Sequence, residues 1–306
     1  MTNALKLLSG TILLCSFMGC QNSVPRFDGN LAFDVLLKQC SFGPRNPGSE
    51  GYQTCLKYLT DKLSAYSDTV FFQSFEYREP RSGVTYELNN IIAQINVNAP
   101  QQLLLGAHWD TRPWAEMDID PGLRNTPIIG ANDGASGVAV LLEIARILSL
   151  APLDIGVSIV LFDGEDLGFS TIANSYAQGS QYFAGNLPIR KPDYAIVIDM
   201  VGDADLNIPV ERNSFQQNRE LVKELWDLAE ELTLPAFQNR LGSEIYDDHV
   251  PLWKVAGIPA IDIIDIEYPN RYGNYWHTHQ DIPQNCSAAS LEQVGTLLVN
   301  HLYRGK

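Results

Sequence analysis

Four stretches of the chain are apolar at nearly every position: "QLLLGA" before His108, "VSIVLF" ending at Phe162, "YAIVID" ending at Asp199, and "IPAIDII" ending at Ile264. Unbroken apolar runs of this length predict strands covered on both faces of a sheet. "LNNIIAQI" predicts a further strand, joined to "QLLLGAHWD" by the polar turn "NVNAPQ". Between these runs the periodicity changes to that of helices. Residues from about Asn30 to Ser67 predict two helices separated by the Pro- and Gly-rich "SFGPRNPGS". "NDGASGVAVLLEIARILSL" predicts a largely buried helix with Asn132 or Asp133 as its N-cap. "FQQNRELVKELWDLAEEL" predicts one amphipathic helix, "DDHVPLWKVA" a short one, and Ser287 to Tyr303 the last. A long polar loop carrying Pro113, Pro121 and Pro127 follows the strand that ends near His108. Strands alternating with helices predict an α/β fold with a central mixed, mostly parallel sheet flanked by helices. Ligands of such sheets gather at the C-terminal ends of the strands.

The first residues read differently. "MTNALKLLSGTILLCSFMGC" has one cation, Lys6, then an apolar stretch of signal-peptide length. Gly19-Cys20 resembles the cleavage box of bacterial lipoproteins, although Phe17 and Met18 are not its favoured residues. The expected organisation is a signal peptide over 1–19 with Cys20 lipidated, an N-terminal segment over 20–43, and one catalytic domain over 44–306. An ordinary secretory signal cut nearby is the alternative. Either way the chain is expected to be exported to the cell envelope or periplasm and to be membrane-associated through the lipid anchor alone.

Charge and cysteine content narrow the chemistry. With a formal net charge of -15, the chain is a poor partner for nucleic acid, which demands Lys/Arg patches. Past Cys20 only Cys40, Cys55 and Cys286 remain. A Cys40–Cys55 bridge is possible, but no pair has zinc-finger spacing. Any metal must therefore be held by carboxylate and imidazole.

Those groups cluster at the predicted strand ends. His108 and Asp110 close the first run, Asp163, Glu165 and Asp166 the second, and Asp199 the third. His277 and His279 follow the fourth in "YWHTHQD", and Asp133 opens the helix after the first. Any one of these acids is ordinary as a turn former or cap. Their coincidence at four strand ends points to a zinc site, since Zn²⁺ takes His nitrogen and carboxylate oxygen and leaves a position open for catalysis. His108 and Asp110, two apart on a strand, share a face, so Asp110 is placed to orient the imidazole. Gly164 lets the chain turn so that Glu165 and Asp166 both approach one point, one to ligate and the other to move a proton.

"HWD", "GANDGASGVAVLLEIAR", "FDGED", "VIDMVGD" and "YWHTHQD" together resemble the zinc-dependent aminopeptidase family, a superfamily that includes the glutaminyl cyclases. The resemblance runs from about Pro44 to Tyr303. In the two-zinc hydrolases the matching ligands are His108, Asp133, Asp166, Asp199 and His277. The cyclase pattern implies one zinc on Asp133, Asp166 and His277. "DDHVPLWKVAGIPAIDII", "YWHT" and "GSQYFA" resemble the cyclase branch, and Glu165-Asp166 in place of Glu-Glu resembles its bacterial members. Ala107 stands where the animal enzymes have a cysteine, so their disulfide has no counterpart.

That resemblance implies conversion of N-terminal glutamine of peptides or proteins to pyroglutamate with release of ammonia; a monomer is expected. It implies Glu165 as general base and acid, with Asp199 in its hydrogen-bond network and Asp248 facing the substrate. Trp276 would wall the glutamine pocket, with Trp114 or Phe169 and with His108 nearby. Asp163 is expected to be scaffold, and His279 to lie outside the ligand set.

Overall fold

A computed structural model describes residues 24–304; the expected signal peptide and the Cys20 lipidation site lie outside them. Helix α1 (Gly29–Cys40) is capped by the Asp28 carboxylate and α2 (Glu50–Ser64) by the Ser49 hydroxyl. A hairpin follows, β1 (Thr69–Arg78) and β2 (Thr85–Ile95), then β3 (Gln102–His108), α3 (Ala135–Leu150) and β4 (Gly156–Phe162). The chain continues through α4 (Gln178–Gly185), β5 (Tyr194–Asp199), β6 (Ile208–Val210), α5 (Arg212–Gln217), α6 (Arg219–Glu231) and β7 (Phe237–Leu241). It closes with α7 (His249–Lys254), β8 (Ala260–Ile264) and α8 (Ala288–Arg304).

The main sheet has the order β1-β2-β4-β3-β5-β8. Strands β4, β3, β5 and β8 run parallel, and the β1–β2 hairpin adds antiparallel to β4. Both faces are covered, as the unbroken apolar runs require. Leu103, Leu105 and Ala107 of β3 join the large core under α1, α3 and α8, while Leu104 joins a second core with Phe183 of α4 and Leu252 of α7. From β3 the chain crosses to β4 on one side, and from β5 to β8 on the other. The crevice between the ends of β3 and β5 is thus the switch point where ligands bind in open α/β sheets.

Local expectations differ from the structure in several places. Neither Asn132 nor Asp133 caps α3, whose first turn has no side-chain cap and begins at Gly134 with φ 99°. The Asn132 side chain instead accepts the Gly202 N–H (2.6 Å), and the Asp133 carboxylate turns toward the strand ends. A Cβ on Gly134 would sit 2.5 Å from the Asp110 carbonyl oxygen, so glycine is needed both for the backbone angle and for the close approach. The amphipathic stretch is two helices, broken at Asn218, whose side chain caps α6 through the Leu221 N–H. Strand β1 has no counterpart among the predicted elements: it is a half-exposed outer strand, and "TVFFQSFEYR" is too irregular in polarity to announce itself. Cys40, Cys55 and Cys286 are buried free thiols, and no Cys40–Cys55 bridge forms.

Arg45, in the α1–α2 loop, is fully buried. Its guanidinium donates to the carbonyls of Trp109 (3.2 Å), Ile129 (2.8 Å) and Gly130 (2.7 Å), and its backbone N–H donates to Thr111 Oγ1 (2.8 Å). This one side chain ties both ends of the long loop between β3 and α3 to the helical layer. Replacing it strands three acceptors in the interior. Arg45→Ala is expected to destabilise the fold by about 3 kcal/mol or more, read as a lowered urea midpoint with an unchanged slope.

Candidate active site

Strand ends bring the acids and imidazoles together. His108 is the last residue of β3 and Asp199 the last of β5, and the His108 Nε2 lies 3.1 Å from the Asp199 Oδ1 across the switch point. Asp133, at the start of α3, reaches the same imidazole nitrogen at 3.2 Å with one oxygen, while the other lies 3.7 Å from His277 Nε2. Asp166 Oδ1 approaches His277 Nε2 at 3.1 Å. Two ligand-like triads result, Asp133–Asp166–His277 and His108–Asp133–Asp199, sharing Asp133.

The turn after β4 presents the two adjacent acids. Gly164 takes a left-handed conformation (φ 69°), and a short 3-10 turn follows over Glu165–Leu167. Asp110 does not orient His108: the strand has ended, and its carboxylate lies 3.6 Å from His108 Nδ1, beyond hydrogen-bond reach. It accepts the backbone N–H groups of Glu165 (3.1 Å) and Asp166 (3.3 Å) instead, pinning the turn. Asp163 is scaffold, accepting from the Tyr52 hydroxyl and the Asn89 N–H. His277 is held with φ 54°, an unusual backbone angle for a residue bearing a Cβ, as is Met200 (φ 50°) directly after Asp199.

A cavity of about 300 Å³ opens beside these groups. Asp133, Glu165, Asp166, Asp199 and His277 form its floor, and Trp276, stacked on the His277 ring at 3.6 Å between centroids, forms one wall. Tyr246, Ile266 and Tyr176 complete the sides. From the "DDH" segment Asp247 lines the cavity, whereas Asp248 is buried behind it beside Ser180. His108 sits beneath Asp133 and Asp199 and does not reach the cavity wall. Trp114 does not line it either: it packs against Phe169 at 4.6 Å in a neighbouring recess. His279 lies apart, on Asp118.

Burial and mutual repulsion govern the acids. Burial pushes Asp166 up to about 6 and Asp199 up to about 7, with Asp133 adding to both. Glu165 is held well above the usual carboxylate range by burial, opposed by His108 and reinforced by Asp247, Asp166 and Asp248. Asp133 is lowered: burial would raise it, but the imidazoles of His108 and His277, with Arg112, prevail. Burial disfavours a charged His277, yet the Asp166 and Glu116 carboxylates push it up to about 9.

Three residues given no role from the sequence complete the site. Glu116, in the middle of the polar loop, accepts a hydrogen bond from His277 Nδ1 at 2.8 Å. Arg112, 2% exposed, pairs with Glu116 through Nη2 (2.5 Å) and donates to the carbonyls of Asp166 (2.8 Å) and Gly168 (2.7 Å). Asp281 accepts the N–H groups of Asn132 (2.7 Å) and Asp133 (3.1 Å), fixing the helix start. Their i, i+4 spacing links Arg112 to Glu116, but nothing in the local sequence ties either to His277.

The geometry fits a cation on Asp133, Asp166 and His277. With Nδ1 held by Glu116, His277 points Nε2 at two carboxylates, and the second oxygen of Asp166 has no partner. A metal ion satisfies all three at once, and carboxylate and imidazole are zinc donors.

Residues 90–302 match the family model of peptidase family M28. Among solved structures, the chain is similar to the glutaminyl cyclase of Porphyromonas gingivalis, at 35% identity and a TM-score of 0.88, covering 92% of this chain and 99% of that one. It is equally similar in shape to a Zn-dependent exopeptidase of Parabacteroides distasonis, at 32% identity and a TM-score of 0.88, with 92% and 99% covered. A more distant relative is the glutaminyl-peptide cyclotransferase of Bothrops jararaca, 24% identical over 91% of this chain and 80% of that protein.

Glu116 fixes the His277 tautomer, so its loss should weaken metal binding without removing a ligand. Glu116→Gln is expected to lower zinc affinity by about 10- to 100-fold, measured by competition with a chromophoric chelator.

Proposed function

The chain belongs to peptidase family M28, and from that premise we propose that it is a glutaminyl-peptide cyclotransferase using a single zinc ion. It converts the N-terminal glutamine of peptides and proteins to pyroglutamate and releases ammonia. The observation that carries the single-metal reading is an asymmetry between the two imidazoles. His277 has its Nδ1 anchored on Glu116 at 2.8 Å, the outer support that metal-ligating histidines almost always have. His108 Nδ1 has no partner, and its Nε2 lies within hydrogen-bond reach of both Asp133 and Asp199. His108 therefore acts as a donor that fixes two carboxylates, leaving Asp133, Asp166 and His277 to hold the ion.

Zinc held there supplies Lewis acidity toward the side-chain amide carbonyl of the substrate. The chain's own residues do the rest. Asp199, Asp247 and Glu165 give the cavity floor hydrogen-bond acceptors for the α-amine, which reacts as the free base. Glu165, whose raised affinity for protons suits the task, takes a proton from the amine as its nitrogen attacks the amide carbon. A C–N bond forms, closing the five-membered ring. As the bond from that carbon to the amide nitrogen breaks, Glu165 returns the proton and ammonia leaves. Trp276 and Ile266 give the glutamine methylenes an apolar wall, and the enclosure of about 300 Å³ holds amine and amide together.

A zinc aminopeptidase is the second reading, favoured by the completeness of the His108–Asp133–Asp199 triad as a further metal set. Incubation with a Gln-Ala peptide and with leucine amide separates the two. Pyroglutamate and ammonia from the first, one zinc per chain, and loss of turnover on chelation are the expected results. Release of free amino acids with two zincs per chain supports the peptidase. Glu165→Gln is expected to lower kcat by about 10²- to 10⁴-fold with zinc content unchanged.

We further infer export, a lipid anchor on Cys20 and a monomeric catalytic unit, on the strength of the leader's composition and the completeness of the site within one chain. The mature protein is then recovered with membranes, and Cys20→Ser releases it into the soluble fraction.

A further inference from the structure

Beside the catalytic cavity lies a second recess of about 210 Å³, and Ser170 lines both. Its other walls are Trp114, Phe169, Thr171 and the guanidinium of Arg81. Arg81 sits at the tip of the β1–β2 turn, whose shape is fixed: the Glu79 carboxylate accepts the N–H groups of Arg81 (2.7 Å) and Ser82 (2.6 Å), and Gly83 takes φ 70°. The Arg81 guanidinium lies 4.6 Å over the Phe169 ring and 5.9 Å from that of Trp114. On the other side of this aromatic pair is the buried Arg112, 5.1 Å from Trp114.

The charges in this recess are not equivalent. Arg112 and Glu116 also border it, but they neutralise each other, and Glu116 is further committed to His277. Arg81 enters no hydrogen bond or ion pair through its side chain among the described residues. A protein of net charge -15 thus holds an unpaired cation, stacked and pre-oriented, at the shoulder of its catalytic cavity. A guanidinium so placed offers a forked pair of donors to a carboxylate, and the Ser170 and Thr171 hydroxyls add two more.

We propose that this recess is the subsite for the residue following the N-terminal glutamine, and that Arg81 makes it selective for an acidic side chain there. The proposal rests on the cyclase reading. The catalytic cavity accommodates the glutamine and its amine, so the next residue must leave over a shared wall, and Ser170 is such a wall. The substrates favoured are peptides beginning Gln-Glu or Gln-Asp, and those beginning Gln-Lys are disfavoured.

Three peptides test it on the zinc-loaded full chain: Gln-Glu-Ala-Ala, Gln-Lys-Ala-Ala and Gln-Ala-Ala-Ala, each as the C-terminal amide. In the wild type kcat/KM should favour the Glu peptide over the Lys peptide about fivefold, as expected for a partly exposed charge pair, with the difference in KM. Arg81→Glu should invert the preference, Arg81→Ala should abolish it, and salt at about 0.5 M should shrink the wild-type ratio. Arg81 is exposed, so neither variant threatens the fold. A Glu-to-Lys ratio that is the same in wild type and Arg81→Glu overturns the subsite while the cyclase reading stands. Turnover of none of the three overturns the cyclase reading and the subsite with it.

Discussion

Asp133 is the residue on which the site turns. One of its oxygens lies 3.2 Å from His108 and the other 3.7 Å from His277, so a single carboxylate joins the end of β3 to the loop after β8. To reach that point it must leave the helix it precedes without capping it, which is why the start of α3 is built so unusually. Gly134 supplies a backbone angle that other residues rarely adopt, and Asp281 fixes the approach to the helix by accepting the N–H groups of Asn132 and Asp133. Arg45 then holds the loop on the other side through the Ile129 and Gly130 carbonyls. Each of these arrangements costs something locally, and each is explained by the place it gives one carboxylate.

The accumulation of buried acid follows the same logic. Glu165, Asp166, Asp199, Asp247 and Asp248 are all buried within one end of the sheet. Without compensation, carboxylates in such numbers shed charge by taking up protons, and the upward displacement of every one of these five expresses that. A fold that only needed stability would place apolar residues there. What the acids supply is a glutamate with raised affinity for protons beside donors suited to a cation. Arg112, a permanent cation close behind these acids, spends itself on Glu116 and on the carbonyls of Asp166 and Gly168.

Much of this was legible in the sequence, and the parts that were not share a cause. The parallel strands announce themselves because burial on both faces leaves unbroken apolar runs, and the acids stand out because they interrupt those runs at their ends. The outer strand β1 is missed because exposure relaxes its pattern. Asp133 reads both as a cap and as a ligand, because the two have the same composition; only the backbone angle of Gly134 separates them. Asp247 and Asp248 are adjacent in sequence, so which one faces the cavity depends on how α7 begins. Glu116 and Arg45 act through distance in sequence, 161 residues to His277 for the first and 64 to Trp109 for the second. Pairings that long leave no trace in local periodicity.

The contrast between the two histidines shows how one framework can serve one metal or two. Both triads share Asp133, and both offer an imidazole and carboxylates at similar distances, so the inner residues alone do not choose. The choice lies one layer out. An imidazole that binds a metal through Nε2 must give up the proton there, and it holds that state best when Nδ1–H has a firm acceptor. Glu116 supplies one to His277. For His108, the Asp110 carboxylate lies 3.6 Å from Nδ1 and accepts the N–H groups of Glu165 and Asp166 instead. The same two bonds that hold the adjacent acids at the cavity therefore leave His108 Nδ1 without such an acceptor, and that asymmetry sets the two triads apart.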